Sequence, residues 1–205
     1  LTAEQIRVRK IGRTLRALGL NETKSYLFAS SDDLAKLGMS EEGRGLPVRI
    51  INPLIADQSE MRRSLLPGLL RSVAYNLDHG VENIALYEIG RVLFGHENKS
   101  QPDEPSFVAG GRSADDSWNM KWPAYDFFDA KGVVEGLLEI LRIPKVRFRV
   151  ADPDTYGWLQ PGCAAEVLAA DGVIGWVGTI HPLALQNFGI EVPVVAFELS
   201  VAMLQ

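Results

Sequence analysis

The sequence predicts an α+β fold, a mainly antiparallel sheet flanked by helices, and three observations carry that prediction. Two long stretches repeat apolar residues at spacings of three and four: Val8, Ile11, Leu15, Leu18 and, later, Phe127, Ala130, Val134, Leu137, Leu141. Between them lies a turn, a short basic strand, a helix and a long strand, running from Asn52 to Phe94. The last third is a series of short strand-like runs, two of them joined by Asp171-Gly172, a strong hairpin signal. No repeat, low-complexity segment or shift in composition divides the chain, so its 205 residues read as one domain.

Each element has its local reason. Thr2 and Gln5 form a capping box for the first helix, and Gly19 stops it. Arg9, Arg13 and Arg16 fall on the face opposite its apolar stripe. That face is either a solvated side or a contact for a partner or RNA. Thr23 to Phe28 reads as a strand. Ser31 caps a short helix, Asp32 to Leu37, stopped by Gly38. Pro47 to Ile51 is a short strand ended by Asn52-Pro53. Pro67 suits the first turn of a helix striped by Leu66, Leu69, Leu70, Val73 and Leu77 and ended by Gly80. Ile84 to Phe94 is a long strand. Gly90 within it marks a bulge or the close approach of another group. Phe107 to Gly111 is a strand, and 113–123 a loop with Trp118 and Trp122. Asp126 caps the second long helix, which Pro144 ends. Strands follow at Arg147–Ala151, Ala164–Ala169, Val173–Ile180 and Val194–Leu199, with a helix starting at Ser200.

Composition narrows the function. The chain is 46% hydrophobic and 23% charged, ordinary for a globular fold, and has no run of about 18 apolar residues. The net charge of -5 is opposite to that of a free-standing nucleic-acid binder, so any RNA contact must be local or shared with another chain. The single cysteine, Cys163, rules out an intrachain disulfide and fits a reducing compartment. The first residue is Leu, which points to a fragment of something longer. His79, His96 and His181 lack zinc-motif spacing, and HExxH, CxxC, GxGxxG, Walker and GxSxG patterns are absent. Glu88, on the long strand, either faces a pocket or pairs with an arginine.

Five blocks in order add a resemblance. Met61-Arg-Arg-Ser-Leu-Leu-Pro-Gly-Leu-Leu70 with Tyr87-Glu-Ile-Gly-Arg-Val-Leu-Phe94 resembles the β subunit of bacterial phenylalanyl-tRNA synthetase. Tyr125 to Gly132, Gln160 to Ala165, Ile174 to Pro182 and the Phe197-Glu-Leu strand are similar to later blocks of the same family, so the match covers nearly the whole chain. The resemblance implies the class II synthetase core as the fold. It also implies a longer β subunit, with a tRNA-handling part and a winged-helix-like module before this segment and an anticodon-binding module after it. The family's magnesium-binding acids are expected upstream of Leu1.

The resemblance further implies a non-catalytic copy of that core. Active class II enzymes carry Phe-Glu-Ile-Gly-x-x-Phe-Arg-x-Glu, whose arginine holds the ATP α-phosphate. Alignment on Glu88-Ile89-Gly90 puts Phe94 at the arginine and His96 at the second glutamate. The glycine-rich strand and helix-opening arginine of active members are missing from Val195–Leu204. Adenylate formation concentrates negative charge on the α-phosphate, which an apolar Phe94 does not stabilise. The expectation is therefore a structural domain that binds no cofactor itself. It would support a catalytic α subunit in a cytoplasmic (αβ)₂ enzyme that charges tRNA(Phe) using ATP and Mg²⁺. Val8, Ile11, Leu15 and Leu18 are either subunit interface or ordinary core. Arg9, Arg13, Arg16, Arg62 and Arg63 are the places for a weak RNA contact. The opposing expectation is a stand-alone catalytic domain for an amino acid or nucleotide.

Overall fold

The computed structural model describes residues 1–41, 44–53, 55–81, 83–98, 101–113, 125–170 and 172–204. Trp118 and Trp122, and the hairpin residue Asp171, lie outside them. Among the described residues no helix is long and apolar enough to cross a membrane.

A seven-stranded sheet forms the centre. Its strands are β1 (Asn21–Glu22), β4 (Ala85–Arg91), β5 (Ser106–Ser113), β9 (Val194–Ser200), β8 (Gly172–Ile180), β7 (Leu159–Ala169) and β6 (Arg147–Val150), in that spatial order. Only the two-residue pair β1–β4 is parallel; the others are antiparallel. A separate two-stranded ribbon joins β2 (Phe28–Ala29) to β3 (Glu60–Met61).

Helices α1 (Ala3–Ala17) and α4 (Phe127–Leu141) cover one face. Both open with capping boxes: the expected one of Thr2 with Gln5, and one in which Asp129 joins the expected cap Asp126. Their stripes pack with Tyr87, Val108, Val177, Val195, Phe197 and Leu199 in a single apolar core. At roughly 1.5–3 kcal/mol for each large side chain removed from water, that face contributes much of the folding free energy. Helices α2 (Asp33–Leu37), α3 (Leu66–Asp78) and α5 (Pro182–Gln186) cover the other face. Gly38 closes α2 in the left-handed region at φ 73°.

Four expectations need correction. The Thr23–Phe28 strand shrinks to two pairs flanking it, because 23–27 turn away from the sheet to reach β2. Pro47–Ile51 is no strand; only Leu46 and Arg49 make single bridges there. The long strand stops at Arg91, and Phe94 is held by an isolated bridge to Asp103. Ser200 opens only a short 3₁₀ turn, Val201–Met203, and α5 was not foreseen.

Candidate functional site

The α3-side face carries the chemistry. Strand register lines up one row across it: Glu88 on β4, Ala109 on β5, Glu198 on β9, Trp176 on β8, Glu166 on β7 and Arg149 on β6. The neighbouring row is Leu86, Gly111, Ala196, Gly178 and Ala164. Its small residues leave room for α3. Leu69 reaches Gly111 closely enough that a Cβ there would lie 3.4 Å from a Leu69 methyl.

Each carboxylate in the first row is answered within the chain. Arg62 Nη1 donates to Glu88 Oε1 at 2.8 Å and to Ser25 Oγ at 2.9 Å, and its Nε donates to the Arg91 carbonyl. Ser25 Oγ donates to Glu88 Oε2 at 2.6 Å. The side chains of Arg62 and Glu88 are 8% and 1% exposed, so this is a buried ion pair with its remaining positions hydrogen-bonded. Gly90 makes the pair possible. A Cβ there would lie 2.2 Å from Arg62 Nη2 and 3.0 Å from Glu88 Oε1. The close approach marked in the sequence is thus a guanidinium, and β4 has no bulge.

Glu198 accepts from the Leu65 N–H at 2.7 Å and from Ser64 Oγ, so its carboxylate sits at the start of α3, where an anion is favoured. Burial pushes its carboxyl above the ordinary value, against the opposing pull of Arg44, the Leu65 N–H and Ser64. Arg44 lies over the Trp158 ring at 5.2 Å. Glu166 accepts from Arg149 Nε at 2.7 Å and from the Tyr156 hydroxyl at 3.1 Å. Burial, then the Glu166 carboxylate, raises the Tyr156 phenol.

Phe94 packs edge-on to Phe107 with ring centroids 6.5 Å apart, in a small cluster with Leu65, Leu69, Val92 and Ala109. No cation occupies that position, and the ring is part of a core. On this face lie leucines, the Arg62–Glu88 ion pair and the Phe94 ring. Among the described residues no group of three or more His, Cys, Asp and Glu is placed to hold a metal ion.

The other sequence candidates are scattered. Ile11 and Leu15 are completely buried in the home core, with Val8 and Leu18 at its edge. Of the arginines, Arg9 and Arg13 are exposed, while Arg16 is tied to Glu22 and the Tyr87 hydroxyl. Arg62 and Arg63 are largely buried, with Arg62 reaching the lining of an open cleft. Arg63 is buried between Glu41 at 3.0 Å and Glu60 at 3.7 Å. Sequence reasoning flagged Glu88 but missed Glu198 and Glu166. The available signal was an acid at an inward parity position in an otherwise apolar strand. Beside this face, Tyr26, Phe28, Ile55 and Tyr75, all largely exposed, rim an open cleft of about 600 Å³ that also exposes Arg71 and Lys36.

A family model described as the phenylalanyl tRNA synthetase beta chain CLM domain matches residues 1–201. The chain belongs to that family. Among its relatives is the phenylalanine–tRNA ligase beta subunit of Geobacter sulfurreducens, 35% identical over 186 residues, which are 89% of this chain and 23% of that one. The Bacillus cereus protein of the same name is 34% identical over 203 residues, 98% of this chain and 25% of the relative. The chain thus spans about a quarter of the length of the relatives it matches. Among solved structures, the pyrrolysyl tRNA synthetase PylSc of Desulfitobacterium hafniense superposes with a TM-score of 0.73 over 98% of this chain and 67% of its own, at 15% identity. That likeness gives the fold alone: an α+β domain with a mostly antiparallel sheet, shared with that synthetase.

Proposed function

We propose that this CLM domain is a non-catalytic scaffold in the beta subunit of a phenylalanine–tRNA ligase, and that it docks on the catalytic alpha subunit. Membership in the beta chain family supports the setting. The single observation that carries the non-catalytic reading is Phe94, packed into a leucine cluster at the position aligned with the phosphate-binding arginine. ATP, Mg²⁺ and phenylalanine are then handled by the alpha subunit, and tRNA(Phe) by the assembled (αβ)₂ enzyme in the cytoplasm. A stand-alone catalytic domain is not favoured, because the chain belongs to the beta chain family and carries Phe94 where active members hold the phosphate with an arginine.

The docking surface on this reading is not the α1 stripe as a whole. Ile11 and Leu15 have no exposure to offer, and only Val8 and Leu18 reach its margin. Exposed apolar side chains concentrate instead at Tyr26, Leu27, Phe28, Ile51, Ile55 and Tyr75. Co-expression of the full beta chain with its alpha subunit tests the assignment. Tyr26→Asp with Phe28→Asp is expected to abolish co-purification while leaving the circular dichroism spectrum intact. A folded double variant that still binds the alpha subunit removes this surface from the interface.

A further inference from the structure

The turn from α4 into β6 is a one-sided concentration of charge outside the face described above. Residues 140–151 contain Arg142, Lys145, Arg147 and Arg149 and no acid, in a chain with 26 acidic and 21 basic side chains. All four are exposed. Arg149 is committed to Glu166. Among the described residues, Arg142, Lys145 and Arg147 enter no ion pair. The nearest acid in sequence beyond β6, Asp152, is turned onto the Thr155 N–H and hydroxyl.

The backbone places these cations at positions where another residue would fit more easily. Arg142 and Lys145 have φ of 60° and 54°, in the left-handed region. Glycine is the low-energy choice there, and a side chain with a Cβ is strained at each. Both sites nonetheless hold a long cation. Next to them, β6 is the last strand of the sheet, so its outer edge offers unpaired backbone N–H groups. Apolar surface is scarce. Phe148 is half-buried beneath Lys131, whose ammonium lies 4.5 Å from the ring centroid, and the exposed large apolar side chains, Ile140 and Val150, stand at the two ends. A protein interface has an apolar centre ringed by polar groups. A nucleic-acid interface is polar and strongly basic, which is what this edge is.

We propose that the α4–β6 edge binds the phosphate backbone of RNA through Arg142, Lys145 and Arg147. That the polyanion is RNA rests on the reading under Proposed function. The contact is electrostatic and reads no bases.

The test uses the assembled alpha–beta enzyme carrying Arg142→Ala, Lys145→Ala and Arg147→Ala together. tRNA binding is measured by filter retention across a salt series, with tRNA-independent ATP–pyrophosphate exchange as the control. Affinity at low salt is expected to fall on the order of tenfold. The slope of log K against log salt should shrink by about 2–3, one counterion term per lost phosphate contact. Pyrophosphate exchange should be unchanged. Unaltered affinity and slope would overturn the proposal. So would a loss of subunit assembly with tRNA affinity per assembled enzyme unaltered, since the occupant is then an acidic protein segment. If the unmutated chains do not assemble, the scaffold reading fails by itself. The same salt series on the full beta chain with a single-stranded RNA oligonucleotide then decides the patch independently.

Discussion

The two faces of one sheet are held by different physics. Under α1 and α4 the contacts are apolar: Ile11, Leu15, Val134, Leu137, Val177 and Phe197 are essentially without exposure. Under α3 the sheet buries Glu88, Glu198, Arg62 and Ser64 as well. Hydrophobic burial stabilises the first face without geometric demands beyond packing. The second must satisfy each charge, because a lone buried carboxylate costs several kcal/mol. A face that needed only to be covered would be cheaper if apolar. The row of acids, each matched inside the chain, is what sets this face apart from the apolar one.

The largest effect should come from breaking the match on the charged face. Arg62→Met leaves Glu88 buried without its cation, and unfolding in urea should show a loss of about 3–5 kcal/mol. Adding Glu88→Met should restore most of it, because the pair taken together is close to neutral against apolar replacements. A double variant no more stable than Arg62→Met would show that the ion pair is not the unit that matters. On the apolar face, Leu137→Ala should cost roughly 2–5 kcal/mol from lost burial and a residual cavity. That cost should be the same at every pH where the protein folds, which thermal melts across pH would check.

Glycines give a finer contrast. Gly90→Ala must displace a buried guanidinium and should destabilise by about 1–3 kcal/mol. Gly132→Ala on exposed α4, where a Cβ meets nothing within 4 Å, should stabilise by roughly 0.5–1 kcal/mol through helix propensity. Equal effects at the two sites, read by denaturant midpoints, would erase the distinction between the faces. The smallest effect is a slope. Glu198 has its folded pKa raised by burial, so the protonated carboxyl is the form the fold prefers. Its contribution is full below the unfolded carboxylate pKa and is lost as pH rises through the folded pKa. Glu198→Gln should flatten that part of the stability–pH curve, measured by denaturant titration at successive pH values. A slope unchanged in the variant would assign it to another group.

How much of this was legible in the sequence differs between the faces. α1, α3 and α4 were readable because period, cap and stop signals agree at each: Thr2 with Gln5, Pro67, and Asp126. The apolar face followed from the stripes. The charged face did not, because an ion pair such as Arg62–Glu88 joins residues 26 positions apart. Only strand register places Glu198 and Glu166 in the same row as Glu88. The short pieces failed for a related reason. Residues 23–28 and 47–51 have strand-like composition, but they lie at the margin of the sheet, where tertiary contacts outweigh local preference. The resemblance pointed to Phe94, and the structure shows only where its ring lies: packed on Phe107 beside Leu65 and Leu69.

On the scaffold reading proposed above, the surface is closed rather than short of a single residue. Isothermal titration of Mg²⁺–ATP into the beta chain carrying Phe94→Arg distinguishes the two. With the face filled by Leu65, Leu69 and the Arg62–Glu88 pair, the restored arginine should produce no saturable heat. Saturable ATP binding to that variant would contradict closure and leave Phe94 alone responsible for the lost chemistry.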